Sequence, residues 1–178
     1  MARELEIRAG GPSDEDGLLG LFDEAVRWLV ARGQARQWGS EPFSGRPDMR
    51  ARVQSMTLGG GLWIAEQDGQ MVGALVVGPA PAYAAPATVA ELYIVLLLTS
   101  RSHAGRGIGG RLIAKAEELA RSGRRQLLRV DCWADAPSLV AWYERQGFAR
   151  SGTFDQDGWR GQFLSRAVRA VPIDQPPP

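Results

Sequence analysis

The stretch that most constrains this chain is residues 90–122, where a long apolar run gives way to a glycine-rich turn and then to an amphipathic helix. Ile94, Val95, Leu96, Leu97 and Leu98 follow one another without a polar interruption, which predicts a strand over 90–99 buried on both faces. Beyond it the chain reads Ala104-Gly105-Arg106-Gly107-Ile108-Gly109-Gly110-Arg111. Glycines let a backbone bend sharply and bring its N–H groups against a bulky ligand. Ile108, Leu112, Ile113, Ala116, Leu119 and Ala120 then recur at helical spacing, predicting a helix over 107–122 that Gly123 ends. A helix starting at such a turn aims unpaired N–H donors and its positive dipole end at an anion. Arg106 and Arg111 add forked positive charge beside those donors, and the combination suits a pyrophosphate.

The remaining elements supply neighbours for that strand. A strand is predicted over 5–9, then a helix over 13–31 with Ser13 as its N-cap, an irregular segment over 33–47 and a short helix over 48–56. Strands over 62–66 and 71–77 flank Asp68-Gly69, a hairpin signal, and a proline- and alanine-rich loop covers 78–87. After the glycine turn and its helix come a strand over 127–133, a helix over 136–146 opened by Pro137, and strands over 148–154 and 159–168 around Asp157-Gly158. This order predicts an α/β (α+β) fold, a single mixed and mostly antiparallel sheet with helices on both faces. A length of 178 residues suits one domain, over 1–170, and the proline-rich tail over 171–178 is expected to be disordered.

Several function classes are excluded on composition. The net charge is +1, and Lys115 is the only lysine, so no strong field for nucleic acid exists. No apolar run reaches the roughly 18 residues that cross a bilayer, so a cytoplasmic protein without a membrane partner is expected. Cys132 and His103 are each alone, so no metal site is expected and Cys132 reads as a buried, inert thiol. A P-loop is ruled out because Gly110 is followed by Arg111-Leu112, without lysine and a hydroxyl residue. Gly105, Gly107 and Gly110 do satisfy the dinucleotide fingerprint, with Asp131 about 20 residues on. Five residues separate Thr99 from Gly105, however, and the unit follows a β-meander, so a dinucleotide-binding protein is the weaker alternative.

At this point the residues resemble a known family, the GCN5-related N-acetyltransferases (GNAT). Ala104-Gly105-Arg106-Gly107-Ile108-Gly109 is similar to its acetyl-CoA motif, Arg or Gln-x-x-Gly-x-Gly or Ala, and Tyr143-Glu144-Arg145-Gln146-Gly147-Phe148 resembles its Tyr-Glu-x-x-Gly-Phe helix end. The order of elements agrees from about residue 5 to about residue 168. The chain departs at Ala104, which stands where the motif has Arg or Gln, and at Ala136, where the family often has Asn seven residues before the tyrosine, with Asp135 beside it.

The resemblance implies a GNAT-like acyl-CoA N-acyltransferase fold with acetyl-CoA as co-substrate. Leu97, Leu98 and Thr99 would hold the thioester and pantetheine through their main chain, and Ala104, Gly105, Arg106, Gly107, Ile108, Gly109, Gly110 and Arg111 would hold the pyrophosphate. Tyr143 would act as general acid, since acyl transfer to an amine needs a neutral nucleophile, a stabilised oxyanion and a proton for the leaving thiolate. An alkylammonium has a pKa of about 10.4, judging from lysine, so a proton acceptor is also needed. Glu91 and Asp131 are the candidates, and the sequence does not choose between them. Trp28, Trp38, Phe43 and Tyr93 are candidates for an acceptor pocket, with Asp23, Glu24 or Glu41 attracting a cation.

The expected function is acetyl transfer to a primary amine of a small molecule, by direct attack in a ternary complex. A non-catalytic acyl-CoA-binding or regulatory module is the main alternative, motivated by Ala104 and Ala136. A homodimer is compatible with the sequence but not specified by it.

Overall fold

The computed structural model describes residues 4–169, and the expected tail over 171–178 lies outside them. The strands are β1 (Glu6–Ala9), β2 (Leu62–Gln67), β3 (Gln70–Gly78), β4 (Glu91–Thr99), β5 (Leu127–Trp133), β6 (Ala149–Gln156) and β7 (Trp159–Ala167). The helices are α1 (Glu15–Ala31), α2 (Pro47–Leu58), α3 (Ile108–Ser122) and α4 (Pro137–Arg145). The two Asp-Gly turns form as the sequence predicts, with Asp68 and Asp157 at φ 53 and Gly69 and Gly158 also at positive φ. Ser13 does not cap α1. It lies inside a 3-10 turn, Pro12–Asp14, and α1 follows from Glu15. Asp14 instead fixes the entry, accepting the Gly11 N–H at 2.9 Å and pairing with Arg8 at 2.8 Å.

One sheet runs through the molecule in the order β1-β2-β3-β4-β5-β7-β6. Every neighbouring pair is antiparallel except β4 and β5. A parallel pair needs a crossover, and α3 provides it. A dinucleotide-binding unit is built on a mostly parallel sheet, so this topology overturns that alternative despite the glycine spacing.

The period of two along each strand divides the core. On one face α1 and α2 bring Leu18, Phe22, Val26 and Val53 against Ile64, Ala74, Val76, Leu96 and Leu98. On the other, Ile108, Leu112, Ile113 and Ala116 of α3 and Val140 and Tyr143 of α4 pack on Ala65, Leu75, Ile94, Leu128 and Val130. Among the described residues no helix is long and apolar enough to cross a membrane.

One irregularity in β4 sets the site. Val76 pairs with Leu96 but Val77 pairs with Ile94, so Val95 is an extra residue in β4. Such a bulge bends and twists the strand that carries it. The β4–β5 ladder runs only from Glu91↔Leu127 to Ile94↔Val130. Beyond that point β4 pairs with β3 alone and β5 with β7 alone, so the C-terminal ends of the two parallel strands fork apart. The expectation that the whole run 94–98 is buried on both faces fails at Val95. It is 41% exposed because the bulge displaces it where the sheet opens.

Candidate active site

The glycine turn closes above the fork. Gly105 (φ 80) and Gly107 (φ 75) both take the left-handed backbone conformation that glycine adopts without steric cost. Gly107 is the N-cap of α3, and the first bond of the helix runs from the Arg111 N–H to the Gly107 carbonyl at 3.1 Å. The N–H groups of Ile108, Gly109 and Gly110 therefore precede the helical ladder and remain available as donors. A Cβ at Gly105 or Gly107 would meet nothing within 4 Å, so the space beside the turn is open. At Gly109 a Cβ would stand 2.8 Å from the Trp142 ring, so its absence lets α4 close against the start of α3.

A cavity of about 560 Å³ begins at this turn and runs into the fork. Leu97, Leu98, Thr99 and all of residues 104–110 line it, and so does Tyr143. Arg111 does not; it is exposed on the first turn of α3. The opposite wall comes from α1, through Ala25, Trp28 and Leu29, and from the segment after it, through Gln34, Gln37 and Trp38. The turn thus offers a diphosphate three backbone donors, a helix N-terminus and the Arg106 side chain. Those features fit the acyl carrier that the sequence predicts.

Tyr143 sits on α4 with 4% of its surface exposed. Trp142 and Phe148 meet its ring edge-on, at centroid distances of 5.0 Å and 5.7 Å. Among the described residues no hydrogen bond engages its hydroxyl, which leaves it free to donate into the cavity. Burial, with the charges of Cys132 and Asp131 adding to it, pushes its pKa well above that of an ordinary phenol. The hydroxyl therefore stays protonated throughout the physiological range.

The two carboxylates that sequence reasoning could not separate have different surroundings. Glu91 stands at the start of β4, three residues before the last parallel pair and eight before Thr99, hence on the order of 25 Å from the end of the strand. Its oxygens are taken up by Arg129, at 2.8 Å to Nε and 2.9 Å from Nη2. Glu91 does not line the cavity, and its carboxylate is committed to Arg129.

Asp131 is the first residue of β5 past the last parallel pair. Its neighbours Val130 and Cys132 point into the α3/α4 core, so Asp131 projects toward the α1/α2 face, on the other side of the sheet from Tyr143. The Tyr93 hydroxyl donates to its Oδ1 at 2.5 Å and the Tyr83 hydroxyl at 3.3 Å. Burial raises its pKa above the usual carboxylate range, and the two phenols and the charges of Arg52 and Arg129 only partly offset this. Asp131 does not itself line the cavity, but its charge reaches Tyr143.

The acceptor-side expectations divide similarly. Trp28 and Trp38 line the cavity. Phe43 is core, stacked on Phe22 at 4.5 Å, and Tyr93 is buried beneath Asp131. Asp23 binds the Ser44 backbone and hydroxyl, and Glu24 accepts from Ser102 N–H at 3.0 Å and the Ser100 hydroxyl at 3.2 Å. Glu41 is exposed and does not line the cavity. Asp135 is exposed and paired with Arg160. His103 does line the cavity, its Nδ1 within hydrogen-bond distance of the Ser100 and Ser102 hydroxyls. Cys132 is buried, as its solitary position predicts, and burial pushes its thiol up to about 12. Two residues that sequence reasoning passed over are Tyr83 and Arg101. Tyr83 is the lone aromatic in the proline-rich loop, which was its only signal.

Known proteins share this fold. Residues 23–148, from within α1 to the residue before β6, match the acetyltransferase (GNAT) family. The chain belongs to the GNAT family. The chain is 26% identical over 154 residues to the uncharacterized N-acetyltransferase YesJ of Bacillus subtilis (strain 168), covering 82% of each protein. Among solved structures, the PaiA N-acetyltransferase of Thermoplasma acidophilum in complex with coenzyme A superposes with a TM-score of 0.71 at 15% identity, over 93% of this chain and 99% of that one. The ribosomal-protein-alanine N-acetyltransferase of Brucella melitensis gives 0.65 at 22% identity, over 92% and 100%. The single mixed sheet of seven strands with its four helices is thus a GNAT fold. The family match includes both the turn and Tyr143, while the β6–β7 hairpin lies outside it.

Proposed function

We propose that this GNAT protein is an acetyl-CoA-dependent N-acetyltransferase acting on a primary amine of a small molecule, by direct attack in a ternary complex. The observation that carries this reading is the cavity itself, which joins the glycine turn to Leu97, Leu98 and Thr99 beyond the last β4–β5 pair and is lined by Tyr143, with Asp131 just past that pair on the other face of the sheet. The N–H groups of Ile108, Gly109 and Gly110 and the Arg106 guanidinium hold the diphosphate. The unpaired edge of β4 over Leu97, Leu98 and Thr99 holds the pantetheine arm and polarises the thioester carbonyl.

In the reaction a new C–N bond forms as the amine lone pair attacks that carbonyl, and the C–S bond breaks with its electron pair on sulfur. Asp131 accepts the proton that the ammonium must lose, relayed by water because its carboxylate does not itself line the cavity. The Tyr143 hydroxyl gives a proton to the departing thiolate. A small acceptor is favoured by a contact at the rim beside the cavity wall that Gln37 forms. The Trp159 Nε1–H donates to the Gln37 carbonyl at 3.2 Å, joining the segment after α1 to the start of β7 where a bound polypeptide would need an open groove.

A thiol-release assay with acetyl-CoA against polyamines, aminoglycosides, amino acids and peptides tests this reading. Turnover of at least one small amine is expected, with peptides poorer. Turnover of peptides alone would overturn the substrate class, and binding of acetyl-CoA without turnover of any amine would establish the non-catalytic module. The diphosphate assignment is tested by Gly107→Ala. A left-handed backbone costs an L-residue roughly 1–2 kcal/mol, so the free turn should relax in the variant, and restoring it on binding should raise the Kd for CoA measured by calorimetry by up to roughly 5- to 30-fold. An unchanged Kd would mean that the turn does not hold the carrier.

A further inference from the structure

The cavity is lined by Arg101, Arg106 and Arg145, and no aspartate or glutamate lines it among the described residues. Of the three, Arg101 has a position that the roles above leave unexplained. It follows β4 directly, in the 3-10 turn Arg101–His103, and its guanidinium lies on the face of Trp28 at 4.8 Å. Arg32 covers the same indole at 4.4 Å, so a second positive charge is close by. The Arg101 Nε is fully buried and has no hydrogen-bond partner, and Nη2 makes only a long contact of 3.4 Å to the Thr99 hydroxyl.

Glu24 is electrostatically favourable to Arg101, but its Oε1 is engaged by the Ser102 N–H and the Ser100 hydroxyl. A buried guanidinium N–H with no acceptor is costly and rare, and it persists where an outside group completes it. The planar fork of arginine, held flat by an indole, is shaped for a pair of oxygens on one carbon or one phosphorus.

We propose that Arg101, held on Trp28, is an anion-binding side chain of the cavity, whose ligand is a phosphoryl or carboxylate group of one of the two substrates. The group comes either from the CoA diphosphate or from an acid on the amine acceptor. If it comes from the acceptor, the substrate is an amine that carries a carboxylate or phosphate, and polycationic amines are disfavoured. That branch rests on the acetyl-transfer reading; the CoA branch does not.

The test compares the wild type with Arg101→Gln and Arg101→Lys. Calorimetric titration with CoA forms one arm. The other is acetyl transfer to the common amino acids, each measured against its own carboxamide. Loss of a charge-assisted pair is expected to weaken one arm on the order of tenfold. A CoA source raises the Kd for CoA in Arg101→Gln, flattens its dependence on ionic strength and is partly restored in Arg101→Lys. An acceptor source leaves that Kd unchanged and lowers kcat/KM for the amino acids but not for the carboxamides.

Glutamine keeps a planar group over Trp28, and a melting temperature near that of the wild type shows that the fold is intact. A lower melting temperature with both arms within twofold of the wild type assigns Arg101 to packing and overturns the proposal. So does an unchanged CoA titration with no preference for acidic amines. If no amine is turned over while Arg101→Gln weakens CoA binding, the acetyl-transfer reading fails and the assignment of Arg101 stands.

Discussion

Tyr143→Phe is expected to lower kcat by roughly 100- to 1,000-fold, within the range seen when a positioned proton donor is removed. It should leave the Kd for CoA within about twofold of the wild type. The two halves of this expectation have separate causes. The ring of Tyr143 packs between Trp142 and Phe148, and phenylalanine preserves those contacts. The hydroxyl makes no hydrogen bond among the described residues, so its removal orphans no partner and costs little stability. What is lost is the proton for the thiolate. Because burial holds the phenol pKa high, the hydroxyl stays protonated well beyond neutrality, and the wild-type rate should show no basic limb from Tyr143 below about pH 10. Steady-state kinetics with a saturating amine, together with calorimetry for CoA, measure both quantities. A Tyr143→Phe protein that turns over within threefold of the wild type would reduce Tyr143 to a core aromatic and leave protonation of the thiolate to solvent.

The elements that position Tyr143 were legible because each has a local cause. The apolar stripe of α3, Pro137 at the first turn of α4 and the two Asp-Gly hairpins all act within a few residues of themselves, and the structure places them within one or two residues of expectation. The glycine turn was legible for the same reason, since only glycine accepts the left-handed backbone at 105 and 107 without strain.

What could not be read was the opening of the sheet. Ile94 to Leu98 is a uniform apolar run, and nothing in its composition marks Val95 as the residue that bulges. The bulge depends on the register with β3, and the fork depends on how far β5 follows β4, both of which are decided between segments distant in sequence. The choice between Glu91 and Asp131 was hidden for that reason. One lies before the fork and is held by Arg129, and the other lies just past it under two phenols. Arg101 was passed over because arginine is frequent here and its distinguishing feature, a buried unpaired nitrogen on an indole, exists only once α1 lies against the end of β4.

Asp131→Asn is the second large effect expected, a fall in kcat/KM on the order of 100-fold near neutral pH, accompanied by an unchanged or higher melting temperature. The opposite signs follow from one fact, that burial raises the folded-state pKa of Asp131. A carboxyl group with a raised folded pKa favours the folded state fully below its unfolded value. That contribution is lost as pH rises through the folded value. At neutral pH the ionised Asp131 therefore works against folding, and asparagine removes the buried charge while its carbonyl still accepts from Tyr93 and Tyr83. The melting temperatures of the two proteins should differ most at neutral pH and converge as the pH falls toward the ordinary carboxylate range.

Activity runs the other way, because a raised pKa makes the carboxylate a stronger base for the ammonium proton. The wild-type kcat/KM should fall on the acid side through the raised pKa of Asp131, and the asparagine variant should lack that limb. Tyr93→Phe separates a catalytic Asp131 from a structural one. Its hydroxyl holds the Asp131 pKa down, so its loss should move the acid limb to higher pH without abolishing turnover. An asparagine variant that keeps both its rate and its acid limb would assign proton removal to another group. The Asp131 carboxylate would then be only the anchor that Tyr83 and Tyr93 share at the edge of the fork.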